Sequence, residues 1–124
     1  MPKVEPKVDR TPAVARTAGA VQLVTAQLCR SFSAGDFRCN PAGDSVQPGA
    51  IVLLTRVRSP RDSIILHQWY RGDRLRKTAR LSIGANEAEG YRTYSRQTVD
   101  HGDWRVEVRG ATGELLYEHR LAVR

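Results

Sequence analysis

From Ala20 to the C-terminus, apolar residues recur in short runs of roughly 6–10 residues, many alternating with period two, and Gly, Pro, Asn or Asp separates the runs. Successive side chains of an extended chain point to opposite faces, so each such run can bury one face against a second layer. No long stretch carries a helical period. The clearest run is Arg74–Ile83, where the alternation predicts Leu75, Ala79, Leu81 and Ile83 inward and Arg74, Arg76, Thr78 and Arg80 outward. Ala50–Val57 begins apolar on both faces, as a central strand does. Val21–Cys29 aligns Val24, Ala26 and Leu28, and Ser63–Tyr70 aligns Ile65, His67 and Trp69. Tyr91–Val99, Trp104–Arg109 and Leu115–Val123 complete the set.

The intervening text fits this segmentation. Tyr70-Arg71-Gly72-Asp73 and Ala111-Thr112-Gly113-Glu114 place glycine where a hairpin requires positive φ. Gln47-Pro48-Gly49 and Asp100-His101-Gly102-Asp103 are also turn text. The sequence therefore predicts an all-β fold, an immunoglobulin-like antiparallel β-sandwich of seven or eight strands over residues 20–124. Trp69 and Trp104 fill the space between its sheets, and His67 shares the Trp69 face with a hydrogen-bonded ring. Residues 1–19, with three prolines and alternating charges, read as an extended or disordered linker. They lack the pattern of a signal peptide, so Met1 is expected to mark a module excised from a longer chain.

At 124 residues the chain holds one domain of ordinary size. The longest uninterrupted apolar run, Ala50–Leu54, is far short of the about 20 residues of a membrane-spanning helix. The net charge is +7, and seventeen of the twenty basic residues are arginine. Such a surface permits acidic partners such as nucleic acid, anionic lipid or acidic glycan without specifying one. The excess concentrates between Arg56 and Arg80, where eight basic residues face only Asp62 and Asp73. Arg74, Arg76 and Arg80 are expected on one outer strand face, either to bind an anion or to guard a sheet edge against aggregation. Tyr91, Arg92, Tyr94 and Arg96 follow a flexible Gly84–Gly90 loop, and aromatics beside arginines can stack on sugars or bases. Tyr91 and Tyr94 fall on opposite faces, which leaves one of them for contact.

Enzymatic templates are missing: there is no Gly-x-Ser-x-Gly elbow, phosphate loop, His-Glu-x-x-His or Cys-x-x-Cys. Glu87 and Glu89 form a carboxylate pair without a supporting element. Neither His101 nor His119 has a neighbour that completes a triad, and no metal or cofactor site is expected. Arg71-Gly72-Asp73 spells an adhesion tripeptide and, equally, an ordinary turn. Cys29 and Cys39 flank a segment able to reverse the chain. They either form a disulfide, which implies an oxidising compartment, or remain free thiols in the cytosol.

The stretches Leu54–Asp62, His67–Leu75 and Gly90–Ser95, followed by Gly102-Asp103-Trp104-Arg105-Val106-Glu107-Val108, Gly113 and Arg120–Val123, resemble the bacterial family called domain of unknown function 2914. The likeness runs from about Val21 to the C-terminus. The family hallmark is a His-Arg-Trp tripeptide in a strand, and here it reads His67-Gln68-Trp69. Members of that family sit at the C-terminal end of longer bacterial proteins, often after an anchor or exported region, with no established activity. The resemblance implies a periplasmic or extracellular module. The residues add the expectation of a non-catalytic binding or spacer domain whose partner is a protein or anionic polymer. The alternative is nucleic-acid or anionic-glycan binding through Arg56–Arg80. Oligomeric state is not legible.

Overall fold

Alternation becomes burial in the two strands at the middle of the chain. β4 (Gly49–Ser59) turns Ile51, Leu53, Thr55, Val57 and Ser59 inward, and β5 (Ser63–Arg71) turns Ile65, His67 and Trp69 toward them. The computed structural model describes residues 21–124, so the linker expected over residues 1–19 lies outside the described residues. Seven further strands complete the fold: β1 (Gln22–Ser33), β2 (Arg38–Pro41), β3 (Ser45–Val46), β6 (Arg74–Ile83), β7 (Asn86–Val99), β8 (Gly102–Gly110) and β9 (Leu115–Val123).

They form a four-stranded sheet in the order β2-β1-β4-β7 and a five-stranded sheet in the order β3-β9-β8-β5-β6. All neighbours are antiparallel except β3 and β9. The core between the sheets holds Leu28, Leu53 and Val57 from one side and Ile65, Val106, Val108 and both tryptophans from the other. Trp69 stands on β5, the strand that in immunoglobulin sandwiches carries the core tryptophan. The fold is thus the expected β-sandwich, with nine strands among the described residues rather than seven or eight. The additions, β2 and β3, are four and two residues long and carry no alternation to read.

Two local departures rearrange the surface. First, β6 carries an extra residue against β5, because Lys77 pairs with Trp69 while Leu75 pairs with Tyr70. This bulge reverses the inward parity beyond it. Leu75, expected in the core, is therefore half exposed. Arg74, opposite Arg71, falls on the other face from Arg80, opposite Leu66, and Arg76 lies 5.4 Å from the Trp104 ring. The three arginines do not share one face. Second, Asn86–Gly90 belongs to β7 rather than to a free loop. Asn86 pairs with Ser59, and its side-chain oxygen accepts hydrogen bonds from the backbone of Ala88 and Gly90 at 3.0 and 3.1 Å.

β6 and β7 are edges of different sheets lying side by side. Lys77 Nζ donates across this seam to the carbonyl of Arg96 at 2.5 Å. At the opposite side, Cys29 and Cys39 are joined as a disulfide with Cα atoms 5.3 Å apart, linking β1 to β2. Leu28 pairs with Leu53 in the core, so Cys29, opposite Val52, sits on the outer face of the four-stranded sheet. The non-reduced protein is expected two protons lighter than its reduced form, with no alkylatable thiol. Reduction should lower unfolding stability by about 2–3 kcal/mol for so short a loop, read by urea titration with and without reductant. Equal stability in both states would show that the bond constrains nothing.

Candidate functional site

A histidine with no exposure in an apolar sandwich must find partners for both ring nitrogens or destabilise the fold. His67 does so across the gap between the sheets. Its Nδ1 lies 2.7 Å from Ser95 Oγ on β7, and its Nε2 lies 3.1 Å from Thr55 Oγ1 on β4. Trp69 Nε1 donates to the same Ser95 oxygen at 3.0 Å. Thr55 Oγ1 in turn lies 3.0 Å from Thr93 Oγ1. One tautomer gives the hydrogens of Ser95, His67 and Thr55 a partner each. Ser95 already accepts from the indole, and its own hydrogen is satisfied by donating to Nδ1. Nε2 then carries the imidazole proton and donates to Thr55, whose hydroxyl passes its hydrogen to Thr93.

Burial depresses the His67 pKa from 6.5 to about 3, so the ring is neutral near pH 7. A serine beside a histidine is the geometry of an activated nucleophile. Here the pair lies between the sheets, with His67 fully buried and Ser95 only 5% exposed. The arrangement pins the sheets together and offers no place for a substrate. The two outer residues of the hallmark, His67 and Trp69, are both members of this pin. Gln68, the middle residue, points the other way.

Gln68 lies on the outer face of the five-stranded sheet, paired with Glu107 of β8. Glu107 is nearly buried there. Burial opposes its ionisation, but hydrogen bonds from Arg105 and Arg109, each at 3.0 Å, together with their charges, hold its carboxyl below the ordinary value. Arg105 also stacks on Tyr70 at 4.0 Å, and Arg120 pairs with Glu118 at 2.7 Å. Around Glu107 the charges of this face are matched within the protein, while Arg80, at its β6 edge, makes no ion pair among the described residues.

The outer face of the four-stranded sheet is different. Arg56 on β4 and Arg92 on β7 are direct cross-strand partners, a like-charged pairing that disfavours the sheet unless something else compensates. Neither makes an ion pair among the described residues, and neither does Arg96. The stem of Arg56 lies where a side chain at position 90 would stand: a Cβ built on Gly90 would meet Arg56 Cγ at 2.6 Å. Gly90 also has φ +100°, a conformation that side chains resist. The Arg92 guanidinium sits 4.4 Å from the centroid of Phe37. Phe37 itself has φ +54°, rare for a bulky residue, and packs edge-on against Phe32 and Tyr94 with centroids 6.1 and 6.4 Å away. Phe32 and Phe37 belong to the hairpin closed by the disulfide.

Phe37, Arg56, Asn86, Glu89, Gly90, Tyr91 and Arg92 line a cleft of about 440 Å³ at the end of this face. Of the residues expected to bind, Tyr91 and Arg92 line it, Tyr91 from the inward side of β7 opposite Val57, while Tyr94 and Arg96 lie on the outer face beside it. Tyr91 is 40% exposed and Tyr94 is half-buried in the aromatic cluster. Arg74, Arg76 and Arg80 are elsewhere. Sequence reading misses Phe37, Thr55 and Ser95. The last two could have been found as polar residues at inward positions of β4 and β7 facing His67. Phe37 sits in turn text and carried no signal. In the adhesion-like turn, Arg71 donates to the His101 carbonyl at 3.0 and 2.6 Å and pairs with Asp100 at 3.2 Å, so its guanidinium is engaged within the protein. Among the described residues, no cluster of three His, Cys, Asp or Glu side chains is placed to hold a metal.

The family model described as "Protein of unknown function (DUF2914)" matches residues 62–123. Among curated proteins none matches. Of solved structures, a selenomethionine-labelled beta-glucosidase from Kluyveromyces marxianus is similar at 11% identity and a TM-score of 0.42. The match covers 81% of this chain and 14% of that one.

The buried imidazole makes stability pH-dependent in a known direction. Its folded pKa lies below its unfolded value, so the unfolded chain takes up the extra proton, and stability falls as pH drops from about 6.5 toward about 3. Urea titrations across that window should show a shallower acid slope in His67→Gln, by at most one proton. An identical slope would place the acid sensitivity elsewhere. Gly90→Ala should cost about 1–3 kcal/mol through φ strain and displacement of Arg56, measured by thermal unfolding. An unchanged midpoint would show that the bend adapts.

Proposed function

Because the chain belongs to the DUF2914 family of proteins of unknown function, membership brings no activity with it, and we propose that this member is a non-catalytic binding module that holds an anionic partner on its four-stranded sheet. The module works as part of a longer exported or membrane-anchored bacterial protein, where the sandwich also serves as a spacer. The observation that carries the reading is the opposed pair Arg56 and Arg92, set against Phe37 and without a carboxylate partner among the described residues. Two arginines at paired positions of neighbouring strands match an oxyanion better than they tolerate each other. The Cys29–Cys39 bond supports placement outside the reducing cytoplasm.

Nucleic-acid binding through Arg56–Arg80 is the weaker reading. A phosphate backbone is tracked by cations along one face, and the β6 bulge separates Arg74 and Arg76 from Arg80. An array of anionic glycans and oligonucleotides probed at about 50 and 200 mM salt separates the two, since phosphate tracking weakens steeply with salt. Arg56→Ala and Arg92→Ala should each abolish most of the retained signal, while Arg74→Ala and Arg80→Ala leave it. The reverse pattern would move the binding surface to β6.

A further inference from the structure

Resting on the reading that this face binds an anion, we infer that the cleft between β4, β7 and the β1–β2 turn takes one acidic sugar residue of a carboxylated glycan. The charge balance selects the ligand. Arg56 and Arg92 supply two positive charges and Glu89 removes one, which suits a single carboxylate per ring and disfavours a run of phosphates. A cleft of about 440 Å³ lies within the usual range for small ligands.

The remaining wall residues divide the work of recognising a pyranose. Arg56 and Arg92 approach from adjacent strands and receive the carboxylate. The Arg92 guanidinium is held in plane by the Phe37 ring, and the Arg56 stem is seated over Gly90. Tyr91 borders the cleft but, opposite the inward Val57, stands on the other face of β7 from Arg92 and takes no part in holding the sugar. Its ring lies against Gly84, where a Cβ would come within 2.8 Å of Tyr91 Cε2. Glu89 accepts hydrogen bonds from ring hydroxyls. Asn86 has its carbonyl oxygen committed to two backbone amides, which leaves its NH₂ group to donate to the sugar. A neutral sugar would leave the guanidiniums unmatched, and a polyphosphate would meet Glu89.

Calorimetric titration of the disulfide-intact protein tests this with oligogalacturonate, oligomannuronate and hyaluronan fragments, each beside its methyl-esterified counterpart, and with inorganic polyphosphate and a single-stranded oligonucleotide. At least one uronate should bind, and its ester, Arg56→Ala and Arg92→Ala should each bind about tenfold or more weakly. Circular dichroism confirms that each variant folds. Glu89→Gln supplies the sign test, since losing its charge should strengthen polyphosphate more than uronate, which trades a charged hydroxyl acceptor for a weaker amide one as the repulsion is relieved. Failure of every uronate, equal binding of acid and ester, or a Glu89→Gln variant that gains more affinity for uronate than for polyphosphate would overturn the inference. Arginine-dependent polyphosphate or oligonucleotide binding without uronate binding would overturn the sugar and keep the anion-binding face. Absence of binding to every probe would overturn both.

Discussion

The hydrogen-bonded chain from Trp69 through Ser95 and His67 to Thr55 holds the two sheets in one relative position. Apolar packing alone tolerates sliding, because leucine and valine accept many neighbours. A polar chain buried at low dielectric does not: every member is satisfied only when β5 faces β4 and β7 at the observed offset. Immunoglobulin domains of antibodies use an inter-sheet disulfide beside the core tryptophan. Here neither cysteine lies between the sheets, and a neutral histidine with two hydroxyl partners occupies that role beside Trp69.

Once the sheets are fixed, the charges sort by face. On the five-stranded sheet each cation near the centre has an internal answer: Arg105 and Arg109 share Glu107, and Arg120 takes Glu118. On the four-stranded sheet, Arg92 lies over the Phe37 ring and the Arg56 stem over the backbone of Gly90, and neither has a carboxylate partner among the described residues. The overall charge of +7 is therefore less informative than its distribution. What distinguishes one face from the other is which arginines have a carboxylate partner among the described residues.

Much of the sandwich was legible because period-two alternation reports burial directly. Both tryptophans, the inward His67 and the strands from β4 to β9 follow from it. Leu75 misled because the single extra residue in β6 inverts parity without changing composition, and no sequence signal marks the bulge. β2 and β3 were too short to alternate. The pin was half legible: His67 and Trp69 stand out in a strand, but Ser95 is 28 positions away and looks like any strand serine. The cleft was the least legible part. Its arginines came from two strands that only the sheet order makes neighbours, and Phe37 reaches it through a backbone conformation that phenylalanine rarely adopts.

The disulfide-closed hairpin lies outboard of the hydrophobic layer, tethered at Cys29 and carrying Phe32 and Phe37 over the sheet. Its tip contributes nothing to the interior, so its length and lettering can drift over generations at little risk to folding. Residues between the two cysteines can thus be rewritten with the scaffold beneath untouched, much as loops vary on a constant frame.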